Sequence, residues 1–219
     1  MTRFMEVQIF SDPVCPWCFI GKRRLEQALD TRPDLCVRID WRAYELNPEI
    51  PVRGMDRARH LASKFNGARH ADQVYENIRR VGVSVGIDFA FEKIQRTPNT
   101  VDAHRLINFA AESMRGNLVV EQLFHAYFID GADIGDRNTL IAIAMDSGLD
   151  AGKTAAELSS DRHFDVLRSE GAQARALGVQ GAPSFIFDNQ YLLSGAQEPE
   201  SFFPIFDLAG QTARAVMFE

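Results

Sequence analysis

The chain has 219 residues, of which 46% are hydrophobic, and a formal net charge of −6. A chain of this size buries a core without disulfide staples, and its acidic balance argues against a nucleic-acid partner, which calls for a basic face. No apolar run approaches the ~20 residues of a membrane-crossing helix, so no membrane partner is expected, and three cysteines in such a length is the usage of a reducing compartment, the cytoplasm.

Met1-Thr2-Arg3 runs directly into the β-rich Phe4-Met5-Glu6-Val7-Gln8-Ile9-Phe10 and offers no apolar leader core, so secretion is not expected. After Cys15-Pro16-Trp17-Cys18 the spacing turns helical, with Cys18, Gly21, Leu25, Ala28 and Leu29 on one face and an end near Arg32-Pro33. The two cysteines thus stand where a strand hands over to a helix. Pro16 suits the first helical position and makes Cys15 the expected N-cap, facing unpaired N–H groups and the positive end of the helix dipole. That environment favours thiolate, the nucleophilic form, and Cys18 one turn deeper is placed to attack a mixed disulfide made by Cys15.

Two other readings of the pair are weaker. Inert core cysteines explain neither the proline between them nor the strand-to-helix position. A zinc site wants four ligands in close pairs, whereas Cys36 stands alone and the histidines are scattered, so no metal is expected. The neighbouring Lys22-Arg23-Arg24 reads as a solvated helix face, with a lesser reading as a source of positive potential near Cys15 or for an acidic thiol such as glutathione.

Leu35 to Ala43 alternates as a strand, with Cys36 a small packing residue on the face of Arg38 and Asp40. Strand, helix and strand make a βαβ unit with parallel strands. From about Asp56 to Leu177 strand-like runs almost vanish. The periodicity predicts helices over Asp56–Asn66, Ala71–Val85, Asn99–Met114, Leu118–Ile129, Arg137–Ser147, Ala151–Leu158 and Arg162–Leu177. Gly152-Lys153-Thr154 lacks the first glycine of a phosphate loop, since position 147 is Ser147. Asp130, Asp133 and Asp136 have the wrong spacing for a calcium loop and read as a turn, with Asp136 capping the next helix. Leu123, Phe124, Tyr127 and Phe128 read as core.

Strand signal returns at Ser184-Phe185-Ile186-Phe187 and Tyr191-Leu192-Leu193-Ser194, a hairpin about Asp188-Asn189, followed by a helix from about Glu198 to Ala209. Pro183 opens the first of these strands, where proline is tolerated and a cis bond can hold a turn.

The order βαβ, helical block, ββα, with Cys-Pro-Trp-Cys at the first helix and Ala182-Pro183 before the third strand, resembles the DsbA-like oxidoreductases. Asp12 to Arg23, Asn99-Thr100 with Ala103 to Leu106, Leu123-Phe124 with Ala126-Tyr127-Phe128, Gly178-Val179 with Gly181 and Pro183, and Gly195-Ala196-Gln197 resemble the cytosolic FrnE-like branch. The resemblance implies an α/β, thioredoxin-like fold made of residues 1–55 and 178–219, carrying a large all-helical insertion, residues 56–177. It also implies a cis Pro183 beside the Cys15 sulfur, an Ala182 backbone that pairs with a bound peptide, and Asn99, His104 and Arg105 facing a cleft under the insertion. The superfamily includes kappa-class glutathione transferases and 2-hydroxychromene-2-carboxylate isomerases, which carry serine where this chain has Cys15. The second cysteine pair that some FrnE-like proteins have near the C-terminus is absent here.

The function expected is therefore thiol–disulfide exchange. Cys15 and Cys18 carry the chemistry, Pro16 and Trp17 tune it, and Ala182 and Pro183 position a thiol- or disulfide-containing protein or small molecule. No bound cofactor is expected beyond the redox-active cysteine pair, with glutathione a candidate co-substrate and a homodimer a candidate assembly. The competing functions are a glutathione-dependent isomerase or transferase of a small aromatic or polyketide substrate, and a peptide-binding or chaperone-like module.

Overall fold

The computed structural model describes residues 4–65 and 68–208; the expected helix ends at Asn66 and Ala209 lie outside them. Strand β1 (Met5–Ser11) leads into helix α1 (Pro16–Asp30), and β2 (Val37–Ala43) returns parallel to β1. Helices α2 (Arg57–Lys64) and α3 (Ala68–Ser84) follow, then α4 (Val101–Ala111) and α5 (Gly116–His125), which runs on through a wide turn at Ala126–Asp130. Then come α6 (Arg137–Asp146), α7 (Ala151–Ser159) and α8 (Phe164–Ala176), the hairpin β5 (Ser184–Phe187) and β6 (Tyr191–Ser194), and a short helix α9 at 203–208. A two-residue ladder, β3 (Met55–Asp56) with β4 (Arg96–Thr97), was too short to register in a periodicity.

The main sheet has the order β2-β1-β5-β6, with β5 antiparallel to both neighbours. This is the expected βαβ…ββα arrangement. Its two faces follow from strand alternation. Val7, Ile9, Phe185 and Phe187 point to one side and join α1 and the rings of Phe202 and Phe206. Phe10 and Ile186 point to the other, where Ala174 of α8 covers them. Phe19 of α1 stacks on Phe124 of α5, ring centroids 5.0 Å apart, so the helices and the sheet share one core. The expected core stripe Leu123, Phe124, Tyr127 and Phe128 is buried in it.

Asp136 accepts the Thr139 N–H at 3.2 Å as the cap of α6, and Asp188 and Asn189 both take positive φ (48° and 57°), making the hairpin turn that the Asp-Asn pair suggested. Two expectations need correcting. Cys36 lies just before β2 and is exposed, because it shares the outer face with Arg38. The trio Lys22, Arg23 and Arg24 is not a solvated face either, since Lys22 and Arg24 are buried. Lys22 pairs with Glu26 and with Glu121 at 2.7 Å, Arg23 pairs with the same two carboxylates, and Arg24 reaches Ala196 O and Glu198. Their charges are spent on tying α1 to α5 and to the chain after β6.

Candidate active site

Cys15 is the N-cap of α1, with extended backbone (φ −94°, ψ 109°) and Pro16 as the first helical residue. The approach to it is pinned by Asp12, whose carbonyl accepts the Cys15 N–H at 2.9 Å and whose carboxylate accepts the N–H groups of Leu46 at 2.8 Å and Val14 at 3.3 Å. The Cys15 carbonyl in turn accepts the Cys18 N–H at 3.0 Å. Pro16 and Trp17 form the first turn and are half-buried over the pair.

The Cys15 thiol donates to the Ala182 carbonyl at 3.6 Å, and the Ala182–Pro183 peptide bond is cis. Two bonds hold this wall: Ser184 Oγ donates to Gly181 O at 2.8 Å, and Gly195 N–H donates to Pro183 O at 2.8 Å. Gly21 lets α1 come up against it. A Cβ there would lie 3.0 Å from Pro183 Cγ and 3.1 Å from Phe185 Cζ, so any side chain at 21 presses the proline away from Cys15. Beside the cis bond runs a groove of about 270 Å³ bordered by Gln180, Gly181, Ala182, Ser194 and Gly195.

Both cysteines are free thiols and nearly enclosed, Cys15 with 3% of its surface exposed and Cys18 with 1%. Burial pushes the Cys18 thiol well up, and the adjacent Cys15 sulfur adds to this, while Ser11 and the Asp12 N–H oppose it. The Cys18 thiol therefore holds its proton more tightly than a free cysteine does.

Behind the pair is a closed interior. Burial raises the Asp12 carboxyl to about 6 against its backbone donors, and burial lowers the His104 imidazole to about 3. His104 Nε2 sits 3.9 Å from Asp12 Oδ1 without a hydrogen-bond partner, and with Ser11 it borders a cavity of only about 10 Å³. The expected cleft positions thus divide. His104 faces this interior space and not an open cleft. Asn99 is engaged at both ends, its oxygen accepting the Val101 N–H at 3.0 Å and its amide donating to Ile50 O at 2.8 Å. Arg105 is fully buried and is a clamp, because the last turn of α7 and the loop after it wrap round its guanidinium. It donates to the carbonyls of Glu157 (2.6 Å), Leu158 (3.2 Å), Ser160 (2.6 Å) and Arg162 (2.9 Å) and to the Asp102 carboxylate (2.6 Å).

Arg57, the first residue of α2, gave no signal in the sequence. It is 8% exposed, donates to the Tyr127 hydroxyl at 3.2 Å and rides 5.0 Å over the Tyr75 ring. Asp12 was legible as an acid beside the cysteines, but only folding shows that it is buried. Among the described residues no group of three or more His, Cys, Asp or Glu side chains comes together as a metal site, and no helix is long and apolar enough to cross a membrane.

Comparison with known proteins bears on the fold and the family. YwbO of Bacillus subtilis, uncharacterized, is 25% identical over 193 residues, which is 88% of this chain and 91% of YwbO. The crystal structure of the probable DsbA oxidoreductase SCO1869 from Streptomyces coelicolor superposes with a TM-score of 0.88 at 29% identity, over 94% of this chain and 90% of that one. The cytosolic disulfide reductase DsbM from Pseudomonas aeruginosa, in its structure with GSH, shares the fold with a TM-score of 0.62 at 17% identity, over 94% of this chain and 99% of that one. Residues 6–203, from β1 to the start of α9, match the model of the DSBA-like thioredoxin domain, and the chain belongs to that family.

Proposed function

We propose that the protein is a cytoplasmic thiol–disulfide oxidoreductase that exchanges electrons between the Cys15–Cys18 pair and a thiol or disulfide held against Ala182 and Pro183. The observation that carries this is the Cys15 sulfur at 3.6 Å from the carbonyl of a cis X–Pro turn, with a second thiol buried behind it.

In the reductive direction the Cys15 thiolate attacks one sulfur of a substrate disulfide. A Cys15–substrate disulfide forms and the other substrate sulfur leaves as thiolate, to be protonated by solvent. Cys18 then gives up its proton and attacks the Cys15 sulfur. The Cys15–Cys18 disulfide forms and the remaining substrate thiolate departs, so the substrate gains the two electrons that the pair loses. Once Cys15 carries a disulfide it has no S–H to donate, and the Ala182 carbonyl is released to accept a backbone N–H of the bound partner. The high proton affinity of Cys18 keeps it from competing for substrate and delays its attack until Cys15 is engaged. Run backwards, the same steps oxidise a dithiol. The reduction potential decides the direction, and it spans roughly 150 mV among such dithiols. The shared fold with a glutathione-bound disulfide reductase supports glutathione as a co-substrate.

Insulin reduction in a glutathione buffer tests the reading. Cys15→Ser is expected to abolish turnover, and Cys18→Ser to trap a mixed disulfide at Cys15 visible by mass spectrometry. Wild-type turnover by Cys15→Ser would overturn it.

A further inference from the structure

Three polar atoms are buried without a hydrogen-bond partner at one place in the fold: Arg42 Nε on β2, and His104 Nε2 and Asn108 Nδ2 on α4. All three residues border the small cavity behind the cysteine segment, where Ser11 and Pro13 also meet it. Each such atom costs stability by itself, and three at one cavity call for a common partner. Among the described residues none supplies it. Val120 and Phe124 are apolar wall, and the Asp12 carboxylate lies 3.9 Å from His104 Nε2, beyond hydrogen-bonding reach.

Size, charge and spacing identify the partner. The cavity offers about 10 Å³, roughly what one water molecule needs and too little for an organic ligand. It also lacks the charge to hold an ion. The two ends of the Arg42 guanidinium lie 3.4 Å from Glu170 and 3.9 Å from Asp40, and burial lowers the His104 imidazole to about 3, so that it is neutral near pH 7. The N–H groups of Arg42 and Asn108 turn away a metal cation, and a halide meets an Arg42 that is already balanced. His104 and Asn108 stand four residues apart on α4, which sets their Cβ atoms about 5–6 Å apart. Two hydrogen bonds of ~2.9 Å through one oxygen span that gap. A water there accepts from Arg42 Nε–H and from the Asn108 amide and donates to His104 Nε2, about the number of bonds that an internal water makes.

We propose that this cavity is a binding site for one structural water molecule, held by Arg42, His104 and Asn108, which joins α4 of the helical block to β2 beside the segment that carries Cys15. His104 is then the Nδ1–H tautomer, because its Nε2 is the acceptor for the water. The site stands whether or not the cysteine pair exchanges electrons. A crystal structure of the reduced full chain, at a resolution that shows ordered water, tests it directly. One spherical peak within hydrogen-bonding distance of all three atoms is expected. No peak, density too large for one water, or side chains turned so that protein groups pair these atoms would overturn the proposal. Soaking in bromide separates water from halide, and anomalous scattering at the peak would also overturn it. In solution, nitrogen NMR shifts of the His104 ring are expected to show Nε2 unprotonated and Nδ1 protonated near neutral pH. The opposite tautomer, or an imidazolium, removes the acceptor and sinks the idea. Neither measurement needs a variant to fold. Asn108→Leu, of similar volume, withdraws one donor and is expected to lose the peak, with the His104 Nε2 shift moving toward that of an unbonded ring nitrogen. A peak and a shift unchanged in that variant would show that the three side chains do not form one site.

Discussion

Arg57 and Arg105 are both buried arginines, one at the start of α2 and one inside α4, and they have opposite surroundings. Arg105 meets four backbone carbonyls and a carboxylate, with the Phe164 ring 4.4 Å beneath it. Arg57 meets one phenol oxygen and one ring face. A buried charge whose donors are all taken ties together the chain around it, whereas one with a single oxygen partner holds little of the fold in place. Burial alone does not distinguish them, and neither does local charge density, since the densest basic run, Lys22-Arg23-Arg24, is consumed by Glu26, Glu121, Ala196 and Glu198.

The largest expected effect is at the clamp. Arg105→Met removes the hydrogen bonds to four carbonyls and Asp102, and should cost about 4 kcal/mol in urea unfolding, the range for breaking a buried ionic network. A loss under about 1 kcal/mol would erase the contrast with Arg57.

Asp12 and His104 escape the same problem by shedding charge. Native Asp12 keeps its proton up to about 6 whereas the unfolded side chain loses it near 3.8, so its contribution is full at low pH and is lost as pH rises between those values. Native His104 stays neutral down to about 3 whereas the unfolded ring gains a proton near 6.5, so its contribution is full at high pH and is lost as pH falls through that window. Between about pH 4 and 6 the two slopes oppose each other. Relative to wild type, His104→Gln should make stability fall with rising pH, and Asp12→Asn should make it rise, each by up to about 1.4 kcal/mol per pH unit. Urea midpoints at the two ends of the window check the signs, and identical pH slopes in all three proteins would show that these groups ionise as if in water.

At the front of the site geometry matters more than charge. Gly21→Ala gains helix propensity of about 1 kcal/mol but crowds Pro183 and Phe185, a strain of about 1–3 kcal/mol, for a net loss near 1 kcal/mol. Insulin reduction should slow at the same time, because the displaced turn no longer meets the Cys15 sulfur; a variant that is destabilised but fully active would separate Gly21 from the site.

The smallest change in stability is expected from Arg57→Met. Losing one hydrogen bond and relieving an unpaired charge nearly cancel, so the unfolding free energy should stay within about 1 kcal/mol of wild type. A loss as large as that of Arg105→Met would mean that Arg57 is also architecture.

Much of the fold was legible because it is written in short-range pattern. Alternation marked β1, β2 and the hairpin, helical spacing marked α2 to α8 to within a few residues, and Pro16 after Cys15 marked the head of α1. The ladder of β3 and β4 left no trace, since two residues have no period. Asn99, His104 and Arg105 are drawn into the cleft by likeness alone, and the groups they meet, Ile50, Asp12 and residues 157–162, lie far from them in the chain.

The sequence by itself determined the local framework of the candidate site: two thiols one helical turn apart at a strand-to-helix junction, and a proline positioned to open a returning strand. Those are properties of neighbouring residues, and local backbone geometry is enough to read them. Tertiary structure alone decided which cations keep their charge available, that Cys36 faces solvent, that His104 lies behind the cysteines, and that Arg57 stands unpaired over Tyr75. Desolvation and pairing depend on the groups that the fold packs against each side chain, and those groups come from distant parts of the chain.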